Sequence, residues 1–303
     1  MSREKKYYII LYYYYVKIEK PELLRNLQLD FCKQLNLVGR IIISSEGING
    51  TLSGFKENIN LYMENLKNNK YFKNIEFKII DIHKNVFKKL SVKYRKEIVS
   101  LKLKKDIFPD YNNKKNFYLE PQQFYDYLIK NKNVFLLDVR NNYEYNLGHF
   151  ENAINPNIQN FRDLPYWIDK EFHSFKDKNV LLYCTGGVRC EKISFLLKEK
   201  GVKDVFQLKG GIIKYSQDKK LQGKLFQGKI YVFDQRISMK ANDKKNNIVG
   251  KDYFDQTPCE RYINCANPQC NKQILCSKKN EYKNLGSCSI ECINNPKNRY
   301  LKK

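Results

Sequence analysis

Long apolar runs are missing from this sequence. The longest, residues 7–16, is rich in Tyr and falls short of the roughly 20 residues a membrane helix needs, so a buried strand is expected there and no membrane partner is implied. The start, Met1-Ser-Arg-Glu-Lys-Lys, leads into aromatic residues without a small-residue cleavage site, so a secretory leader is not expected and a cytoplasmic location is. No repeat period or low-complexity block stands out, which excludes solenoid architectures. Acidic residues are scarce, 32 against 56 basic ones, leaving a formal charge of +24. Such an excess points toward a polyanion, because Lys and Arg release counterions when they neutralise phosphates. Lys, Asn, Ile and Tyr are abundant together, however, as AT-rich codon usage produces, so charge alone does not separate RNA binding from mutational bias.

What the chain has in quantity is length and cysteine. Its 303 residues exceed what one core usually organises, so two folded domains and a small third unit are expected. Nine cysteines in a reducing compartment do not read as a disulfide framework. Their placement suggests separate jobs: Cys32 alone, Cys184 with Cys190, and six between Cys259 and Cys292.

The first segment, residues 1–85, alternates strand-like and helix-like runs: strand 7–18, helix 21–36, strands 39–44 and 50–53, helix 55–68, strand 75–80. Pro21 suits the first turn of a helix, and Leu23, Leu24, Leu27, Phe31 and Leu35 are expected on its buried face. The βαββαβ order reads as a ferredoxin-like split βαβ sandwich. Residues 86–118, lysine-rich and mixed, are expected to connect domains, with a possible strand pair at 90–94 and 98–103, then Pro109 and an Asn/Lys run. Residues 119–225 alternate again: helix 121–130, strand 134–139, helix 164–175, strand 180–184, helix 191–200 and strand 205–208. Right-handed crossovers of this kind build a parallel sheet covered on both faces. Residues 226–303 form a basic, Cys-rich C-terminal region.

Ligands of open parallel sheets gather at the carboxyl ends of strands, and Leu181-Leu182-Tyr183 delivers Cys184 to that edge. Gly186 and Gly187 let the loop Thr185-Gly186-Gly187-Val188 fold tightly, so that backbone N–H groups surround the sulfur. A helix starting near Cys190 adds its positive end and Arg189 adds a full charge. Such surroundings lower a Cys pKa from about 8.5 into the range of roughly 3.5–7.5, making Cys184 a nucleophile. Cys190, at the helix start, is a candidate to resolve a persulfide or sulfenic acid on Cys184, its own pKa drawn down by the dipole. Cysteine phosphatases also use a thiolate in a loop ending in Arg, but the four residues 185–188 are one fewer than those loops place between Cys and Arg.

The segments Leu136-Leu-Asp-Val-Arg140, Glu144-Tyr145, Gly148-His149, Ala153-Ile-Asn155, Cys184-Thr-Gly-Gly-Val-Arg-Cys-Glu-Lys192 and Leu208-Lys-Gly-Gly211 resemble a rhodanese domain. With Glu46-Gly-Ile-Asn-Gly50 and Cys259-Glu-Arg-Tyr-Ile-Asn-Cys265, nearly the whole chain resembles the bacterial tRNA wobble-uridine hydroxylases. The resemblance implies a cysteine persulfide at Cys184, tRNA held by its anticodon region, and oxygen-dependent C5 hydroxylation of uridine 34 with an unknown electron donor. No flavin, haem or iron site for activating dioxygen is recognisable in the residues. The loop by itself supports a persulfide sulfurtransferase acting on a small thiol or protein better than it supports hydroxylation, and a catalytically silent RNA-binding protein is a third reading.

Asp138 and Arg140 end a strand on the same edge, where they can orient loop or substrate or form a structural ion pair. His149 in its turn reads as a hydrogen-bonding anchor. Cys265-x4-Cys270 and Cys288-x3-Cys292, separated by seventeen residues, have a layout that can close tetrahedrally around structural Zn²⁺, with Cys259 and Cys276 as spare ligands. Such a tail could present Lys272, Lys278, Lys279 and Lys283 to RNA, with Tyr262, Tyr282 and Tyr300 as stacking candidates.

Overall fold

A computed structural model describes residues 6–103, 118–241 and 247–301. No helix among them is long and apolar enough to cross a membrane. Pro109 and the Asn/Lys run lie outside the described residues.

The first unit is β1 (Tyr7–Tyr15), α1 (Pro21–Gln34), β2 (Val38–Ser44), β3 (Gly47–Phe55), α2 (Lys56–Asn68) and β4 (Phe77–Ile82). Its strands run in the order β4-β1-β3-β2, each antiparallel to its neighbour, which is the ferredoxin-like arrangement expected from the element order. A fifth strand, β5 (Leu90–Tyr94), adds parallel to β2 at the edge. Residues 90–94 are therefore more than part of a connection, because alternating Leu90 and Val92 find an open edge and an apolar core to join; residues 98–103 form no strand.

The strand period of two splits this sheet cleanly. Ile10, Tyr12, Ile41, Ile43, Ile48 and Leu52 enter the core under α1 and α2. The opposite face carries Leu11, Tyr13, Thr51, Arg40 and Lys78, aligned across strands by the register. Helix α1 is rotated from the expected face: Leu24, Gln28 and Cys32 are buried, while Leu23 and Leu27 are more than half exposed. The physical reason is a hydrogen-bond chain, Tyr12 hydroxyl to Tyr62 hydroxyl at 2.6 Å and Tyr62 hydroxyl donating to Gln28 Oε1 at 2.7 Å, which satisfies three buried polar groups. Leaving one of them unpaired costs roughly 1–3 kcal/mol, comparable with the burial forgone at a Leu.

The second unit continues with β6 (Tyr118–Leu119), α3 (Pro121–Lys130), β7 (Val134–Asp138), α4 (Asn142–Tyr145), β8 (Gly148–Phe150), α5 (Leu164–Phe175), β9 (Asn179–Tyr183), α6 (Val188–Glu199), β10 (Val205–Leu208) and α7 (Gly211–Gln217). Strands β6-β10-β9-β7 form a parallel sheet. Both faces are covered, so apolar side chains occur at successive positions: Phe135, Leu137, Val180 and Leu182 pack on one side against α5 and α6. Leu136, Leu181 and Tyr183 pack on the other against α3 and α7. Continuing the alternation puts Cys184 on the α6 side. Two further strands, β11 (Phe226–Tyr231) and β12 (Ser238–Lys240), pair antiparallel with each other, and β11 also pairs with β8. The tail adds a hairpin, β13 (Tyr262–Asn264) and β14 (Gln273–Leu275), with short helices α8 (Lys278–Lys283) and α9 (Ile290–Ile293). A small cluster of Leu147, Tyr231, Cys259, Tyr262 and Leu275 fastens this tail to the second unit.

Candidate functional site

Cys184 follows β9 immediately, and α6 begins four residues later at Val188, earlier than the expected start near Cys190. The turn between them needs Gly187, whose φ of +100° is unfavourable for any residue with a Cβ. Its amide donates to Cys184 Sγ at 3.1 Å. The other side of the loop rests on α7: the amides of Ile212 and Ile213 donate to the carbonyls of Cys184 and Thr185 at 3.0 and 3.1 Å. Gly211 permits that approach, since a Cβ there would lie 2.5 Å from the Cys184 carbonyl oxygen.

The sulfur is shielded from bulk solvent and packed with the apolar layer of α5 and α6. Burial raises a thiol's pKa, but here the neighbouring Cys190 thiol, the Arg189 charge and the amides of Arg189 and Gly187 draw Cys184 down to about 5. Cys190 behaves in the opposite sense from the expectation of a depressed thiol. Its complete burial and the negative sulfur beside it push its pKa well up, so it is the protonated member of the pair.

Arg189 is less free than its place in the loop suggests. Its guanidinium grips the buried Glu144 carboxylate through two bonds of 2.6 and 2.7 Å, and Glu144 also accepts from the Thr185 hydroxyl at 3.2 Å. Glu144 is buried, which favours its neutral form, but Arg189 overrides this and holds the carboxyl below its ordinary range. Part of the Arg189 charge is thus balanced by Glu144, and the pair fixes both ends of the loop. Sequence reasoning noted Glu144 only as part of a motif. Its signal was the capping box it forms with Asn141 at the start of α4, a residue type serving two purposes at one position.

Asp138 and Arg140 form a fully buried pair, with Nε to Oδ1 at 2.8 Å and Nη2 to Oδ2 at 2.5 Å. Arg140 Nη2 also donates to the Gly148 carbonyl at 2.7 Å, tying β7 to β8, and neither residue lines the cavity beside Cys184. His149 stacks on Tyr145 and its Nδ1 bonds the Tyr145 carbonyl at 2.9 Å. Burial lowers its pKa, so the ring is neutral and Nδ1–H donates.

The open face of the first sheet closes over the Cys184 loop. Tyr13 donates to Glu191 Oε1 at 2.8 Å and Tyr15 to the Val188 carbonyl at 3.1 Å. Lys192 joins Glu46 at 2.9 Å and Glu97 at 2.8 Å, a buried clamp between the units. Between sheet and loop lies a cavity of about 880 Å³, lined on one side by Cys184, Thr185 and Arg189 and on the other by Tyr13, Arg40 and Lys78. Arg95, Lys96, Lys102 and Arg162 are also on its wall, so its rim is basic. None of the first-unit residues was singled out from sequence, because the register that aligns them is a property of the folded sheet.

In the tail, Cys265, Cys270, Cys288 and Cys292 converge with their sulfurs within 4.8 Å of one another. The separations of 3.6 Å for Cys270–Cys288 and 3.9 Å for Cys288–Cys292 bracket the edge of about 3.8 Å that a tetrahedron with Zn–S bonds of about 2.3 Å requires. The set can therefore hold a metal ion. Cys259 and Cys276 bond backbone carbonyls of Arg261 and Ser277 and stand outside it. Tyr262 is buried with its hydroxyl on the Tyr143 carbonyl at 2.6 Å, a packing role, whereas Tyr282 is exposed.

Three family models match the chain: a UPF0176 acylphosphatase-like domain over residues 7–98, a rhodanese-like domain over 120–218, and a rhodanese C-terminal region over 227–293. Among curated relatives, a tRNA uridine(34) hydroxylase of Onion yellows phytoplasma is 53% identical over 286 residues, covering 94% of this chain and 92% of the relative. One of Enterococcus faecalis, with the same name, is 50% identical over 298 residues, covering 98% and 93%.

Proposed function

The chain belongs to the tRNA uridine(34) hydroxylase family, and from that premise we propose that it hydroxylates C5 of uridine 34 in tRNA, with Cys184 as its nucleophile. One observation carries the assignment of the site: Cys184, whose thiol is drawn toward its ionised form, lines a cavity of about 880 Å³, within the size range of small-molecule pockets and bounded by a basic rim. Enzymes that act on a base extrude it from its stack into such a pocket. Arg40, Arg95 and Arg162 would hold the flanking phosphates, which position without reading sequence.

The uracil C5=C6 bond is polarised by the C4 carbonyl, so the Cys184 thiolate can add at C6 and deliver electron density to C5. C5 then becomes the nucleophile toward dioxygen, and once oxygen is attached, loss of the C5 proton expels the Cys184 thiolate from C6 and restores the C5=C6 bond. Placing one oxygen atom at C5 and releasing the other as water consumes two electrons and two protons from an external donor. The residues of the loop contribute the thiolate and its stabilisation: the Gly187 amide at the sulfur, Arg189 beside it, and Glu144 holding Arg189 in place. Asp138 and Arg140 act in this reading only as a brace beneath the sheet edge.

The four-sulfur cluster would hold structural Zn²⁺ through Cys265, Cys270, Cys288 and Cys292. A hairpin with so small a core gains its order from such a bond set. Its chemistry would be confined to folding.

Mass spectrometry of tRNA nucleosides from cells carrying the wild-type gene, no gene, or Cys184→Ser tests the reading. We expect 5-hydroxyuridine and its derivatives in the first alone. Loss of thiolated bases instead selects sulfur transfer by a Cys184 persulfide, and full hydroxylation by Cys184→Ser removes the nucleophile.

A further inference from the structure

Lys78 lies on β4, opposite Leu11 in the β1 register, on the sheet face that carries Tyr13, Thr51 and Arg40. It lines the same cavity as Cys184. Its ammonium stands 5.0 Å over the Tyr13 ring. Tyr13 in turn lies against the Cys184 loop, its hydroxyl 2.8 Å from where a Cβ on Gly187 would be. Lys78 is thus one of the cations that the first unit places on the cavity wall shared with the sulfur of the second, and among the described residues no ion pair is found for it. A half-buried ammonium that lines a cavity and has an aromatic ring as its neighbour is costly unless a ligand uses it.

We propose, resting on the reading of Cys184 as the nucleophile toward uracil, that Lys78 is a catalytic residue of the same step: its ammonium hydrogen-bonds uracil O4 and neutralises the charge that builds there. The step balances without an oxidant. The sulfur lone pair forms the S–C6 bond, the C5=C6 pair becomes a C4=C5 bond, and the carbonyl pair moves onto O4. A proton from Lys78 Nζ meets that oxygen, and returns to Nζ when the C4 carbonyl re-forms as C5 attacks oxygen.

The surroundings suit a group that gives up a proton near neutrality. Burial lowers the Lys78 pKa, Cys184, Glu76 and Glu191 raise it, Lys214 lowers it again, and the outcome is about 8. At neutral pH the amine is still charged, yet is a stronger acid than an exposed lysine, as proton donation in a transition state favours.

The test compares wild type, Lys78→Met, Lys78→Arg and Cys184→Ser, all as full-length protein. Three readouts are used: 5-hydroxyuridine formation on tRNA as kcat and KM, the pH dependence of kcat, and the rate of Cys184 alkylation by iodoacetamide. Lys78→Met is expected to lower kcat by about 100-fold or more, the range general acids supply. It should leave KM for tRNA within a few fold and alkylation at pH 7 nearly unchanged, and Lys78→Arg should recover part of the loss. The wild-type alkaline limb near pH 8 should move or vanish in Lys78→Arg.

A loss confined to KM makes Lys78 a phosphate contact and overturns the proposal. A loss matched by slower alkylation makes it a group that merely supports the thiolate, and overturns it equally. Unchanged kcat in Lys78→Met overturns it while Cys184 stands, provided Cys184→Ser is inactive. Should Cys184→Ser retain hydroxylation, the underlying reading falls instead, whatever Lys78 does. Circular dichroism establishes that each variant is folded.

Discussion

Replacing Cys184 by Ala removes the group whose ionisation the loop favours, and its effect on stability should depend on pH in a way that packing losses do not. The thiol pKa falls from an ordinary 9.0 to about 5 in the folded chain. Between those values the unfolded chain holds a proton that the folded chain has released, so stability rises with pH across this window. It is fully present above the unfolded pKa and lost as pH falls through the folded one. The slope rises from half of about 1.4 kcal/mol per pH unit at pH 5 to nearly all of it by pH 6, so wild type should gain about 2 kcal/mol on Cys184→Ala between about pH 5 and 7. Urea unfolding of both proteins in excess reductant at pH 5, 6 and 7 measures this. Titrating groups remote from the sulfur and the constant packing loss cancel in the difference. A difference that stays flat to within about 0.5 kcal/mol over that range refutes an ionised sulfur, because no other mechanism of stabilising Cys184 carries that slope.

Glu144→Gln keeps the shape of the side chain but leaves the buried Arg189 charge without its carboxylate; removing one partner of a buried pair costs about 3–5 kcal/mol, which a fall in denaturation midpoint relative to wild type will show. Gly211→Ala should slow Cys184 alkylation by about tenfold or more, because the added Cβ meets the Cys184 and Thr185 carbonyls at 2.5 and 2.6 Å and must push the loop away from its amide donors; unchanged alkylation would show that the loop does not rest on α7. Elemental analysis of gently purified protein should find one zinc per chain, and Cys288→Ser should lose it along with the order of the hairpin, read by protease cleavage within residues 262–293. Absence of stoichiometric metal in wild type ends the zinc assignment.

The second unit was read closely from sequence because its parallel strands, buried on both faces, are near-continuous apolar runs bounded by turn residues. The bounds of α3, α5 and β10 follow directly from Pro121, from the apolar spacing of Leu164, Ile168 and Phe175, and from Val205 to Leu208. Errors arose where a polar side chain outweighed a Leu. Gln28 displaced Leu27 from the core because Tyr62 needed an acceptor, and no periodicity of apolar residues encodes that need. At Cys190 the helix start by itself favours a depressed thiol pKa, but complete burial against a neighbouring anion, which only the folded structure supplies, acts in the opposite direction.

The local chain sets what is local. Two adjacent glycines after a buried strand dictate the tight turn, place the Cys184 sulfur among amides and start the next helix, and the spacing of four tail cysteines allows them to meet. Tertiary structure alone decided what faces that sulfur. Tyr13, Arg40 and Lys78 lie on separate strands of another unit, and they share one wall because antiparallel register aligns them and polar contacts seat that wall on the loop. Register and docking are pairings between residues far apart in the chain, fixed by the summed burial of whole faces, and no short stretch of sequence contains them.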